Sequence, residues 1–326
     1  MIRRLACLET FDTDPFRNLA VERYLTLHAG AGECILYLWQ NRDTVVIGRN
    51  QNAWKECRVS LLEEEGGTLA RRGSGGGAVF HDGGNLNFSF AVQKGDYDVP
   101  RQLSVIAAAC RSLGIDAAVS GRNDLTAEGR KFSGNAFLET RGQCCHHGTI
   151  LIAADTDRMS RYLTVSREKL TANSVASVHS RVGNLAALCP GLTPDRMRAA
   201  LKEAFSAVYG LPVTTLSPEA LDEAELQALT AEFADPAWRY GRCGSFTHQI
   251  SRRFPWGEAE LCFSVEKGLV ADCGLYSDAM DPDFCPVAAK ALLGQPFTAQ
   301  ALCRALSGCI SGPLYTDLAS LIRDSL

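Results

Sequence analysis

With 46% hydrophobic and 21% charged side chains the chain has the balance of an ordinary globular protein, and 326 residues exceed one usual domain, so a large and a small domain are expected. A formal net charge of -4 gives no overall case for binding nucleic acid. No run of roughly 18 apolar residues occurs, and Glu9, Asp12 and Asp14 interrupt the opening stretch too soon for a signal peptide, so the expectation is a cytoplasmic protein without a membrane span.

Asp14 as N-cap, Pro15 at the first helical position, and Phe16, Leu19, Tyr24 and Leu27 near helical spacing predict a first helix. The runs Ile35-Leu36-Tyr37-Leu38-Trp39 and Thr44-Val45-Val46-Ile47-Gly48, joined by the polar Gln40-Asn41-Arg42-Asp43, suit a hairpin. Leu69 to Arg72 then reads as a strand, Gly73-Ser74-Gly75-Gly76-Gly77 as a turn, Ala78-Val79-Phe80 as a strand, and Asp82-Gly83-Gly84-Asn85 as a second turn. In the next strand Leu86, Phe88, Phe90 and Val92 alternate onto one face, which should be buried.

Pro100 to Leu113, closed by Gly114, reads as a helix, and Lys131 to Leu138 and Thr149 to Ala153 as strands. Thr164 to Gly183 lacks a period and is long for a plain connection, which points to a functional loop. Thr193-Pro194 starts a helix that stops at Gly210, and Ser217-Pro218 starts another through Leu229 and Phe233; both should cover the sheet. Ala259 to Val265 and Leu269 to Tyr276 flank Glu266-Lys267-Gly268 as a hairpin, and a helical stretch from about Pro286 ends the chain. The mixture predicts an α+β fold with a largely antiparallel or mixed sheet, and a small α+β domain at 250–326.

The strongest chemical signal is Arg71-Arg72-Gly73-Ser74-Gly75-Gly76-Gly77-Ala78-Val79-Phe80-His81-Asp82. Three consecutive glycines let backbone N–H groups approach an anion, which a neighbouring guanidinium neutralises; a glycine-rich hairpin with a solvated arginine pair is the plainer alternative. The G-x-G-x-x-A spacing of Gly73, Gly75 and Ala78 does not make a dinucleotide site, because strand residues follow where a helix is needed, and no Walker A loop occurs. In Lys131-Phe132-Ser133-Gly134-Asn135-Ala136, strand alternation places Lys131, Ser133 and Asn135 on one face and Phe132, Gly134 and Ala136 on the other. His146 and His147 are adjacent, so on a strand they project to opposite sides and cannot readily share a metal; no metal site is expected. The thirteen cysteines contain no C-x-x-C pair and read as buried free thiols, although Cys144 or Cys145 beside a histidine leaves a nucleophile conceivable.

The stretches Val45 to Cys57, Arg71 to Asp82, Gly121 to Leu125, Arg130 to Gly134 and His146 to Thr149 resemble, in order, the motifs of the lipoate-protein ligase A family. The resemblance runs on through Lys169-Leu170, Ser180 to Leu185, Ser245 to His248, Phe254 to Gly257 and Val265 to Gly268, and so covers nearly the whole chain. It implies a catalytic domain of the biotin/lipoate ligase type over 1–245, with the small domain as an accessory. It also implies ATP, with Mg2+, as the activating co-substrate of lipoate. Arg72, Gly77, Ala78, Val79, Phe80 and Lys131 would hold the nucleotide, and Lys131, Gly75, Gly76, His81 and His147 the lipoate, with Lys131 catalytic. Asp124 is a candidate Mg2+ ligand, and the loop around Lys169 to Gly183 would cover the adenylate. The implied acceptors are lipoyl domains of 2-oxoacid dehydrogenase complexes or a glycine cleavage carrier protein. Gly73, where relatives often have a polar residue, and Asn135, where a serine is common, depart from the pattern. Two other readings stay open: an ATP-independent octanoyl- or lipoyltransferase with a cysteine nucleophile, and a non-catalytic acyl-protein binding module.

Overall fold

The computed structural model describes residues 1–121, 124–164, 182–241 and 246–326. The chain opens with β1 (Arg4–Glu9), α1 (Pro15–His28), β2 (Glu33–Trp39) and β3 (Thr44–Ile47), then α2 (Ala53–Glu56), α3 (Val59–Glu64), β4 (Thr68–Arg71), β5 (Val79–His81) and β6 (Asn85–Gln93). There follow α4 (Val99–Ser112), β7 (Ala117–Ser120), β8 (Asp124–Ala127), β9 (Arg130–Thr140), β10 (Gln143–Leu151) and α5 (Thr156–Tyr162). After α6 (Pro194–Tyr209), β11 (Val213–Thr215), α7 (Glu223–Ala234) and α8 (Pro236–Tyr240), the C-terminal part comprises β12 (His248–Phe254), β13 (Gly257–Glu266), β14 (Leu269–Ser277), α9 (Phe284–Leu292), α10 (Ala299–Ser307) and α11 (Gly312–Ser325).

Local chemistry fixes several of these boundaries. The Asp14 carboxylate accepts the Phe16 N–H at 2.9 Å ahead of Pro15, which starts α1, and Gly210 at φ 66° ends α6. An eight-stranded mixed sheet in the order β11-β1-β2-β6-β10-β9-β8-β7 forms the centre, parallel only where β1 meets β2 and β11. On one face α4 and α6 bury Leu36, Phe88, Phe90, Ile106, Leu201 and Phe205. On the other, α1 and α7 lie over Leu8, Tyr37 and Ala91. The C-terminal sheet, β12-β13-β14, has a core of its own with α9 to α11 around Leu261, Phe263, Leu292, Leu306 and Ile322. No described helix is long and apolar enough to cross a membrane.

The expected hairpin of 35–39 with 44–48 does not form. Both edges of β2 are taken, by β1 and β6, and the chain leaves the sheet through Asp43 at φ 44°. β3 instead becomes the middle of a separate sheet, β4-β3-β5. The strands on either side of the glycine-rich segment are therefore not partners: β4 runs parallel to β3 and β5 antiparallel on its far edge, so residues 72–78 arch across the end of β3. Ser217-Pro218 makes only a short 3-10 turn, and α7 begins at Glu223 because the Asp222 carboxylate caps Ala224 and Glu225. The final helical stretch is three helices, with breaks at Gly294 and Gly308.

Candidate active site

A cleft of about 550 Å³ opens where β6, β9 and β10 meet the 72–78 arch, and Pro255, Trp256, Asp278 and Met280 of the C-terminal part close one side. Its lining combines the apolar Leu19, Trp39, Val46 and Val79 with the polar Arg72, His81, Lys131 and His147. The second face of β6 supplies Asn87 to this cleft, while Leu86, Phe88, Phe90 and Val92 of the first are buried as the alternation predicts.

The three glycines of the arch serve different ends. A Cβ at Gly75 would stand 2.3 Å from the Ala279 carbonyl oxygen and 2.5 Å from that of Met280, so the residue is small because the C-terminal chain crosses it. Gly76 has φ 87° and donates its N–H to the Ala279 oxygen at 3.0 Å. A Cβ at Gly77 would meet nothing within 4 Å, and Gly77 faces the cleft.

Both arginines are buried, not solvated. Arg71 gives its N–H groups to the carbonyls of Gly48, Arg49, Gln51 and Trp238 and lies away from the cleft. Arg72 lines the cleft, but its Nη2 donates to the Gly75 and Gly77 oxygens at 2.7 and 2.8 Å, and its Nε to Ser74 Oγ at 3.0 Å. It therefore braces the arch from within, and burial brings its pKa down to about 10, with Glu22 opposing.

Lys131 does not share a face with Ser133 and Asn135. A β-bulge carries the pairing from Leu125–Ser133 directly to Thr126–Lys131, so Phe132 is the extra residue and the alternation slips by one. The Lys131 side chain lies over Gly134 and enters the cleft beside Ala136, whereas Asn135 turns to His146 and Phe132 to the apolar core. Lys131 Nζ pairs with Asp124 at 2.8 Å, and the Lys131 backbone accepts the Gly183 N–H at 2.9 Å. Of the expected covering loop, 165–181 lies outside the described residues, as do Arg122 and Asn123.

The histidines divide as strand geometry predicts. His81 takes the Asn41 amide on Nδ1 at 3.1 Å, and burial, then Arg72 and His147, push its pKa down to about 3. His147 bonds Glu22 Oε2 through Nδ1 and Ser74 Oγ through Nε2, each at 2.7 Å. Burial pushes the Glu22 carboxyl up, but His147, the Ser89 hydroxyl and Arg72 together hold it below the usual carboxylate range. Donor atoms of Glu22, Cys145 and His147 fall within 4.8 Å of one another, yet the carboxylate and imidazole already satisfy each other and burial raises the thiol pKa well above its ordinary value. No described cysteine lines the cleft.

The cleft thus gathers Arg72, Gly76, Gly77, Ala78, Val79, His81, Lys131 and His147 of the expected set, but not Gly75, which faces the C-terminal chain, or Phe80, which packs on Tyr162. Sequence reasoning missed Glu22, Trp39, Asn87, Trp256 and Met280. For Glu22 a signal exists: Asn18, Glu22 and Thr26 recur every fourth residue and form a buried polar stripe on α1.

The lipoyl protein ligase A/B catalytic domain matches residues 14–206, and the bacterial lipoate protein ligase C-terminus matches 244–315. The chain belongs to the lipoyl protein ligase A/B family. Its fold is similar to that of Plasmodium falciparum LipL1 in complex with lipoate, at 25% identity and a TM-score of 0.86, over 98% of this chain and 99% of that one. A bipartite lipoate protein ligase of Thermoplasma acidophilum, described with its E2 lipoyl domain, aligns at 27% identity and a TM-score of 0.63 over 76% of this chain and 100% of its own. A lipoate-protein ligase A bound with ATP aligns at 26% and 0.61, over 74% and 99%. Within this family the fold is the expected α+β one, a large mixed sheet with a small C-terminal domain.

Proposed function

We propose that the protein is an ATP-dependent lipoate-protein ligase that forms lipoyl-AMP and then acylates a lysine of a lipoyl domain. The observation that carries this reading is one cleft whose lining holds both cationic and apolar side chains. Lys131 and the Gly76-Gly77 segment suit anions, and Leu19, Trp39, Val46 and Val79 in the same lining suit a hydrocarbon tail. That is the chemistry of a carboxylic acid with a long acyl chain, next to a place for phosphates.

In the first step a lipoate carboxylate oxygen attacks the α-phosphorus and pyrophosphate leaves; two anions meet, and the Lys131 ammonium lowers the cost of their approach. Ala78, Val79 and the N–H of Gly77 would carry the nucleotide, with His81 and His147 beside the acyl chain. Mg2+ would arrive with the phosphates, and Asp124, paired with Lys131, would be a carboxylate to meet it. In the second step the acceptor amine attacks the acyl carbonyl, loses a proton and expels AMP; until then the mixed anhydride would have to be kept from water. On this reading 1–245 is the adenylating and transferring unit, 250–326 its accessory, and the setting cytoplasmic. The acceptors are lipoyl domains of 2-oxoacid dehydrogenase complexes or a glycine cleavage carrier protein; the Thermoplasma acidophilum ligase is described with such a domain.

The absence of a described cysteine from the cleft lining weighs against the transferase alternative. Incubation with lipoate, MgATP and a purified lipoyl domain should add one lipoyl mass to the acceptor, and lipoate should support exchange of pyrophosphate into ATP. Acceptor modification that proceeds equally without ATP would replace this reading by the transferase.

A further inference from the structure

Ser74, His147 and Glu22 have the spacing of a nucleophile, a base and its orienting carboxylate: 2.7 Å from Oγ to Nε2 and 2.7 Å from Nδ1 to Oε2. The hydroxyl has no access, however. Ser74 is 0% exposed and does not line the cleft, so no substrate carbonyl reaches it. Such a chain must serve something other than nucleophilic attack, and its far end shows what.

Ser74 Oγ accepts the Arg72 Nε–H at 3.0 Å, and the same guanidinium donates to the Gly75 and Gly77 oxygens, on either side of Gly76. At the near end Ser89 Oγ donates to Glu22 Oε2 at 2.5 Å. We propose that Glu22 is a positioning residue for the glycine arch that would hold the nucleotide, acting through His147, Ser74 and Arg72 to fix the Gly75–Gly77 backbone.

The polarity of the bonds gives the device its direction. The Glu22 carboxylate accepts the Nδ1–H of His147, which leaves Nε2 as an acceptor for the Ser74 hydroxyl. With its hydrogen committed to the imidazole, the Ser74 oxygen turns its lone pairs to Arg72, and the guanidinium plane is set. A carboxylate on helix α1 thereby orients the arch through His147 and Ser74. The inference rests on the reading of Gly77 and its neighbours as the nucleotide's anchor.

The test is a double-mutant cycle on the full chain with Glu22→Gln and Ser74→Ala, which share no direct bond. Each substitution should raise the KM for ATP in lipoate-dependent pyrophosphate exchange by about tenfold, the scale of one hydrogen bond to a charged group, and leave the KM for the lipoyl domain unchanged. Because both break one chain, the double variant should be no worse than the worse single, and Ser74→Thr, which keeps the hydroxyl, should restore the KM. Multiplied effects of roughly a hundredfold would make the two sites independent and overturn the proposal. So would an equal rise in both KM values, the mark of a merely structural role. A second readout does not depend on activity: with 15N-histidine labelling of the six histidines, the His147 signals, assigned by their loss in His147→Gln, should move in both single variants. Signals unmoved by Glu22→Gln would sink the relay. Signals that move in a protein showing no exchange at all would sustain the relay and sink the ligase reading.

Discussion

His146 and His147 are neighbours on one strand and face opposite sides of the same sheet, with opposite fates. The His146 ring packs against Phe88, Phe90 and Phe137 at 5.5, 5.8 and 5.0 Å between centroids, and it meets the Gln102 and Asn135 amides at 3.0 and 2.9 Å. Burial, then His147, brings its pKa down to about 3, so it is a neutral polar group in a packed core. His147 instead meets the Glu22 carboxylate and, through Ser74, the Arg72 guanidinium. Around His146 the sheet packs a neutral ring among aromatics; around His147 it pairs charged groups with one another, the arrangement that the proposed anion site would need.

Acid should act most strongly on the two histidines that burial keeps neutral, His146 in the packed core and His81 in the cleft. Unfolded, His81 and His146 protonate near pH 6.5; folded, they do so only near 3, so between these values the unfolded chain binds more protons and stability falls as pH falls. From pH 8 to pH 5 the two together should remove about 4 kcal/mol, read from urea midpoints. Glu22, held below the usual carboxylate range, adds its loss only further down, under about pH 4. His146→Gln should halve the dependence across the upper window. An undiminished slope in that variant would mean that the amide-partnered histidine is not the source, and the contrast between the faces would break.

On the charged face, under the proposed function, the largest effect on exchange should come from Lys131. Lys131→Ala should slow lipoate-dependent pyrophosphate exchange by about a hundredfold or more, on the order of 3 kcal/mol in the barrier. Its ion pair with Asp124 is partly exposed, so stability should change by less than about 1 kcal/mol. A variant that loses stability and keeps exchange would reassign Lys131 from the reaction to the fold.

These two faces were unequally legible in the sequence. Alternation in Leu86 to Val92 marked the apolar side because each residue there needs only to be hydrophobic. The α1 start and the Gly210 stop were legible for similar local reasons: one side-chain cap and one left-handed glycine. The pairing of β3 was not, since strand-forming composition says nothing about which edges are already taken; β2 had none free. The bulge at Phe132 was likewise invisible, and with it the face on which Lys131 lies, because a one-residue slip leaves composition unchanged. Arg72 read as an anion ligand, with a solvated Arg71-Arg72 pair as the plainer alternative. Their burial against backbone carbonyls depends on the arch over β3, which is tertiary.

The same limit applies to the three glycines, and they offer the finest division between packing and binding. In Gly75→Ala the new methyl would press on two backbone carbonyls of the C-terminal chain, neither of which moves as a side chain does. That overpacking should cost about 2 kcal/mol, seen as a lower denaturant midpoint, and should loosen the contact of Gly76 with Ala279. Gly77→Ala meets open space, so stability should stay within about 0.5 kcal/mol. A nucleotide laid against that backbone would meet the added methyl, and the KM for ATP should rise while the KM for the lipoyl domain holds. If Gly77→Ala leaves both constants unchanged, the open space beside Gly77 is solvent and the nucleotide lies elsewhere in the cleft. If it destabilises as much as Gly75→Ala, the arch is a packing device throughout, and the charged face has no backbone reserved for a ligand.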